Sequence, residues 1–319
     1  MIPSEARLPP SGNAASSCGK VTLCGEHFVL FGAPALALPW RGGELRLRPA
    51  GSGCPGGRGD PASASRMLAA WNVAREAAGL PAAGACPWTV DSTIPPGAGL
   101  GSSAALSVAL VRAAFEEART GPGDAGLILA ATQVERVFHG RSSGLDPAAV
   151  ILRRPVLREA DGDLTTVPWR LPARDLVLAL VPGTRRTAEA VEQSHAYALS
   201  RPDRFRALRD EAAALVREIA SLLADPPGKD GACRLGSLLS RNHAMLAELG
   251  VSTPALERLV EGALAGGALG AKLCGAGLGG VVLALPPSGG VEAVSAALAR
   301  SGAALVLPWR VSDEGEAGA

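Results

Sequence analysis

Apolar residues in this chain fall into short runs separated by glycine and proline, and the period inside each run changes from two to about 3.6 along the sequence. Cys18–Cys24 predicts a short strand, followed by Gly25-Glu26-His27 and a second apolar stretch, Phe28–Phe31. Ala35–Leu38 and Glu44–Arg48 predict a continuing sheet, and the Gly and Pro density between Gly51 and Pro61 predicts a flexible surface loop. Ser65–Ala78 has helical composition, and Trp88–Thr93 predicts a strand feeding a glycine-rich stretch. From Ala104 to Phe115 the chain is long, apolar and helical. After the break at Gly121-Pro122-Gly123 a helix is expected over Leu127–Phe138, with Asp124 as its candidate cap.

Strands are expected at Ala148–Leu152, Leu164–Val167 and Leu176–Val181. The last of these opens a second domain, so that residues 1–174 and 175–319 form the two units. Thr187–Gly250 is helical in character, broken at Pro202 and at Asp225–Gly231, and another helix is expected over Pro254–Ala265. Strand, loop and strand follow from Ala271 to Leu285, then a helix over Val291–Arg300 and a strand over Ala304–Leu307. The acidic, small-residue tail from Ser312 predicts disorder. Strands grouped with helices, without strict alternation, argue for an α+β fold.

Composition narrows the function. With 319 residues the chain has ample core for two domains, and 31 basic against 30 acidic residues leave a net charge of +1. No general field therefore attracts nucleic acid or anionic lipid, and any anion site must be local. Aromatics at 3% leave few stacking platforms for single strands. The six cysteines are scattered, with no Cys-x-x-Cys, which predicts reduced thiols in a cytoplasmic setting. The first seventeen residues carry Glu5, Arg7 and three prolines without an apolar block, so neither a signal peptide nor an anchor is expected. Gly262–Leu285 is weakly charged, but Lys272 in its middle and its many glycines speak against a membrane span.

Four constellations could carry chemistry. The first is Ile94-Pro-Pro-Gly-Ala-Gly-Leu-Gly-Ser-Ser-Ala-Ala105. Gly97, Gly99 and Gly101 let a loop bring its N–H groups close to a ligand, and the helix that follows adds free N–H groups and a partial positive charge. Phosphate is the natural guest. No Gly-Lys-Ser/Thr closes the loop, so it is not a Walker loop, and Pro95-Pro96 interrupt the tight turn that a dinucleotide fingerprint needs. A hydroxyl there, Ser103 for preference, can also ligate Mg²⁺ beside a triphosphate.

The second is Glu135-Arg-Val-Phe-His-Gly-Arg-Ser-Ser-Gly-Leu-Asp146, whose turn could bring both carboxylates to one side, one for a hard cation and one as a base. The same spacing also fits a surface helix end with Asp146 as a cap, and His139 fits a helix-terminal structural role. In the third, strand alternation places Lys20 on one face with Thr22 and Cys24, directed at a phosphate or carboxylate, or else blunting a sheet edge. In the fourth, Lys272-Leu-Cys-Gly-Ala-Gly-Leu-Gly-Gly280, Gly-x-Gly-x-x-Gly is followed by a strand, so it predicts a hairpin loop rather than a dinucleotide site.

Taken together, these stretches resemble the GHMP kinase superfamily, and within it the mevalonate kinases. Pro-Pro-Gly-Ala-Gly-Leu-Gly-Ser-Ser-Ala is similar to the central phosphate motif, Gly25-Glu26-His27 with Val29, Phe31 and Gly32 to the first motif, and Ala271–Gly280 to the third. The resemblance implies a ribosomal S5-like N-terminal domain and a ferredoxin-like C-terminal domain, with ATP and a small alcohol substrate in the cleft between them. It implies Asp146 as catalytic base, Lys20 beside the reacting hydroxyl, and Ser103 and Glu135 as Mg²⁺ ligands. ATP phosphates would lie on Pro96, Gly97, Gly99, Leu100, Gly101, Ser102 and Ser103, with His27, Thr187, Gly275 and Gly277 near the substrate. The expected reaction is phosphorylation of the 5-hydroxyl of (R)-mevalonate, with another small-molecule GHMP kinase or a catalytically silent member as alternatives. A homodimer is compatible with this reading. Three positions depart from the usual pattern: Ser142 stands where proline is usual, Pro147 where asparagine is usual, and Leu278 where glycine is common.

Overall fold

The computed structural model describes residues 15–50, 61–183, 187–226 and 228–311. The expected surface loop over 51–60, most of the N-terminal leader and the acidic tail lie outside the described residues. The first sheet has five antiparallel strands, β1 (Ser16–Cys24), β2 (Ala35–Pro49), β3 (Trp88–Ser92), β4 (Val156–Arg158) and β5 (Leu164–Thr166), ordered β1-β2-β4-β5 with β3 also on β2. The two strands expected over 35–48 are one. Their register against β1 jumps where Cys18 pairs with Glu44 and Gly19 with Trp40. At Gly42 and Gly43 an added Cβ would fall 2.7 Å from the Trp40 indole, so bare backbone lets that ring fold across the irregularity.

Helices α1 (Pro61–Ala77), α2 (Ser102–Ala118), α3 (Gly123–His139) and α4 (Leu145–Leu152) accompany this sheet. The central one is α2. Ala104, Ala105, Ala109, Ala113 and Ala114 are buried, and such small side chains let β1 approach closely: the Ser17 hydroxyl donates to the Ala105 carbonyl at 2.6 Å. Two expectations fail here. Ala148–Leu152 is the body of helix α4, because a five-residue apolar run cannot be told from a buried helical turn by periodicity. Asp124 does not cap α3; Pro122 holds the cap position without a side-chain bond, and Asp124 only adds a favourable charge to the first turn.

The second sheet contains β6 (Asp175–Leu180), β7 (Gly270–Cys274), β8 (Val281–Leu285) and β9 (Leu305–Arg310), ordered β7-β8-β6-β9 and antiparallel throughout. Helices α5 (Thr187–Ser200), α6 (Pro202–Ala224), α7 (Gly231–Glu248) and α8 (Pro254–Ala265) come between β6 and β7, and α9 (Val291–Arg300) between β8 and β9. This is the β-α-β-β-α-β course of a ferredoxin-like domain with an enlarged first crossover. β7 and β8 are wholly buried, and α7 packs so closely on β7 that a Cβ at Gly236 would lie 2.2 Å from the Leu269 carbonyl. One apolar core runs across both sheets, from Val21 to Leu283. Among the described residues no helix is long and apolar enough to cross a membrane.

Candidate active site

Each residue of Gly25-Glu26-His27 reaches a different element. Gly25 (φ +90°) lies against the backbone of Pro34 and Ala35, where a Cβ would meet the Pro34 carbonyl at 2.5 Å. Glu26 forms a buried ion pair with Lys272 of β7. His27, also at positive φ, directs Nε2 at the Ala276 carbonyl at 2.7 Å, and Nδ1 faces the Ser194 hydroxyl of α5 at 2.6 Å. The Ala276 carbonyl can only accept, which places a proton on Nε2, while the Ser194 hydroxyl also donates to the Ala190 carbonyl at 3.0 Å. The first sheet is thereby fastened to the hairpin loop and to α5 at one place.

Beside this junction is a cavity of about 330 Å³. Lys20 and Thr22 of β1, Glu135 and His139 of α3, Asp146 of α4, Arg158 of β4, Val191 of α5, and Gly275 and Ala276 all line it. Lys20 Nζ lies 2.7 Å from Asp146 Oδ2 and donates to Thr22 Oγ1 at 3.1 Å. Strand alternation puts Lys20 and Thr22 on one face; a glycine with φ +79° at Gly144 starts α4 and places Asp146 in its first turn, where the helix dipole favours a carboxylate.

The glycine loop packs directly on this pair. The Lys20 backbone N–H donates to the Leu100 carbonyl at 2.9 Å, and a Cβ on Gly101 would stand 2.5 Å from Lys20 Cγ. Gly97, Gly99 and Gly101 all have positive φ, and Gly101 caps α2, whose first N–H groups have no intrahelical acceptor. Pro96 and Gly97 are exposed, Ser102 and Ser103 half-buried, and the Leu100 side chain is core. Ser103 Oγ is 2.8 Å from His139 Nε2, one helical turn beyond Glu135 on the same face of α3.

Glu135 is 5% exposed, and its carboxyl is pushed up from 4.5 to about 7 by burial and by the neighbouring Asp146 charge. A divalent cation bound beside Glu135 and Asp146 would offset the repulsion between the two carboxylates. A magnesium ion keeps several waters and phosphate oxygens and asks for one or two protein oxygens; the Ser103 hydroxyl against His139 and the Glu135 carboxyl in the cavity lining are oxygens of that kind.

Of the residues singled out in the sequence, Lys20, His27, Glu135, Asp146 and Gly275 line one cavity, Ser103 contacts His139 of its lining, and the glycine loop lies against Lys20. Two of the expected residues do not line this cavity. At Gly277 an added Cβ would meet the Val251 carbonyl at 2.2 Å. Thr187 opens α5 without lining the cavity, whereas Val191 one turn later does. Arg141, Arg158 and Ser142 also line the cavity, and Ser194 and Lys272 hold His27 and Glu26 beside it, without having been singled out as site residues in the sequence. Arg141, Ser142 and Lys272 lie inside the motifs, but their partners are distant in sequence or across a turn and leave no spacing signal.

Known proteins supply an independent view. The family description "GHMP kinases N terminal domain" matches residues 64–154, and "GHMP kinases C terminal" matches residues 232–304. The chain is 34% identical over 302 residues to a mevalonate kinase of Aeropyrum pernix, covering 87% of this chain and 90% of that one. It is 29% identical to a mevalonate kinase of Thermococcus onnurineus, covering 94% and 96%. Among solved structures, L. major mevalonate kinase in complex with R-mevalonate superposes with a TM-score of 0.77 at 25% identity, over 97% of this chain and 98% of that one. Methanococcus jannaschii mevalonate kinase shares the fold at a TM-score of 0.74 and 19% identity, over 95% and 100%. By family description and by relatedness over nearly its whole length, the chain belongs to the GHMP kinases.

Proposed function

We propose that the protein transfers the terminal phosphoryl group of ATP to the 5-hydroxyl of (R)-mevalonate. The observation that carries this reading is the Lys20–Asp146 pair at 2.7 Å, lining a cavity and abutting the glycine loop. Relatives named mevalonate kinase over most of the chain's length support the choice of alcohol. In this mechanism Asp146 accepts the hydroxyl proton, and the Lys20 ammonium faces the nascent alkoxide. Backbone N–H groups of residues 97–103 hold the phosphates at the α2 N-terminus. His27, locked between Ala276 and Ser194, shapes the acceptor side, and Arg141 and Arg158 bring positive charge to the same cavity for the substrate carboxylate. Ser103 and Glu135 would hold Mg²⁺, which when bound screens the phosphate charge. Residues 1–174 then bind nucleotide and carry the catalytic pair, and residues 175–319 complete the cleft.

A coupled ADP-release assay across mevalonate, phosphomevalonate, galactose and homoserine tests the assignment, with turnover expected on mevalonate. Asp146→Ala should lower turnover by roughly 10²- to 10⁴-fold while nucleotide binding is retained. Wild-type turnover by that variant would sink the mechanism, and preference for another alcohol would sink the substrate.

A further inference from the structure

Ser142 lies in the connection between α3 and α4, at a position where the related motif has proline. Its hydroxyl makes two bonds at once. It donates to Glu135 Oε2, and it accepts the Gly144 N–H at 3.2 Å. One oxygen thus ties the buried carboxylate at the end of α3 to the turn that launches α4 and places Asp146. A proline can do neither, having no hydroxyl to give or receive a proton. The bond to Glu135 spans seven residues across a turn, so it arises from the folded loop and not from helical neighbours.

A buried carboxylate with a single donor is held in one orientation by that donor. We propose that Ser142 is a positioning residue that aims Glu135: by engaging Oε2 it presents Oε1 to a divalent cation shared with Ser103. The proposal rests on the reading of Glu135 as a metal ligand. Partners that orient a ligand side chain in this way typically govern affinity almost as strongly as the ligand does.

The test is a titration of the full-length protein with Mn²⁺ in the presence of ADP, with free Mn²⁺ followed by electron paramagnetic resonance. Ser142→Ala and Ser142→Pro should each weaken Mn²⁺ binding roughly 10-fold or more, with cooperative unfolding retained and unchanged metal-free ADP affinity. Ser142→Thr, which keeps the hydroxyl, should bind as wild type does. Turnover of the Ala variant should recover at saturating Mg²⁺ with no change in the KM for the alcohol. Wild-type Mn²⁺ affinity in Ser142→Ala, alongside lost affinity in Glu135→Gln, would overturn the positioning role alone. A raised alcohol KM with normal Mn²⁺ affinity would overturn it in favour of a substrate contact. Unchanged Mn²⁺ affinity in Glu135→Gln would remove the metal-ligand reading and this proposal with it.

Discussion

Two lysine–carboxylate pairs, Lys20–Asp146 and Lys272–Glu26, use two of the only three lysines among 31 basic residues and have opposite designs. In the first, the Asp146 side chain is 30% exposed and opens into the cavity; in the second, both side chains are sealed, at 0% and 2%. Burial would strip the Lys272 proton, but the Glu26 carboxylate paired with it, with the Cys274 sulfur at 3.6 Å as a second acceptor, holds the ammonium above its ordinary value. The Cys274 thiol is itself pushed up to about 11 by burial, and the Cys24 thiol is raised for the same reason, so neither is a nucleophile. Access to solvent separates the pair that lines a cavity from the pair that joins two sheets.

The comparison breaks most sharply at Lys20. Lys20→Met should lower turnover by roughly 10²-fold or more, yet cost little stability, because Asp146 stays in contact with solvent through the cavity. A urea titration beside the ADP-release assay checks both; a loss of stability as large as the loss of activity would erase the distinction. Lys272→Met should do the reverse, destabilising the fold by about 3–5 kcal/mol because Glu26 is left buried and uncompensated. Adding Glu26→Leu should recover most of that loss, since a packed apolar pair avoids the desolvation of two ions. Urea midpoints of the single and double variants measure it, and a double variant no more stable than Lys272→Met would refute the account.

The smallest effect sharpens the comparison on the reactive side. Glu135 keeps its proton in the folded state up to about 7, against 4.5 when unfolded, so the folded state binds more protons in between. Its stabilisation is therefore present below 4.5 and is lost as pH rises through 7. His243, held below its ordinary value by burial, tilts stability the other way as pH falls. The difference in melting temperature between metal-free wild type and Glu135→Gln isolates the first slope and should shrink from pH 5 to pH 8. A constant difference would show that neither burial nor the Asp146 charge raises the Glu135 carboxyl.

Much of this molecule was legible as sequence. The prolines and glycines before α2, the Lys20-x-Thr22 alternation and the hairpin over 271–285 each impose a backbone shape through local sterics, and those features appear where expected. Ala148–Leu152 was misread because a short apolar run looks alike as strand or helix, and Val156–Arg158, only three residues long, carries no period at all.

By itself the sequence determined the glycine loop at the head of α2, the alternation that puts Lys20 and Thr22 on one face, and the α+β course of the chain, since φ/ψ limits and side-chain periodicity act between near neighbours. Only the tertiary structure decided that Glu26 meets Lys272 across 246 residues, that His27 is locked by Ser194 and Ala276, and that Ser142 holds Glu135. Those choices depend on which polar groups are left facing one another once the two sheets have closed around a shared core, where an unpaired buried donor or acceptor is costly.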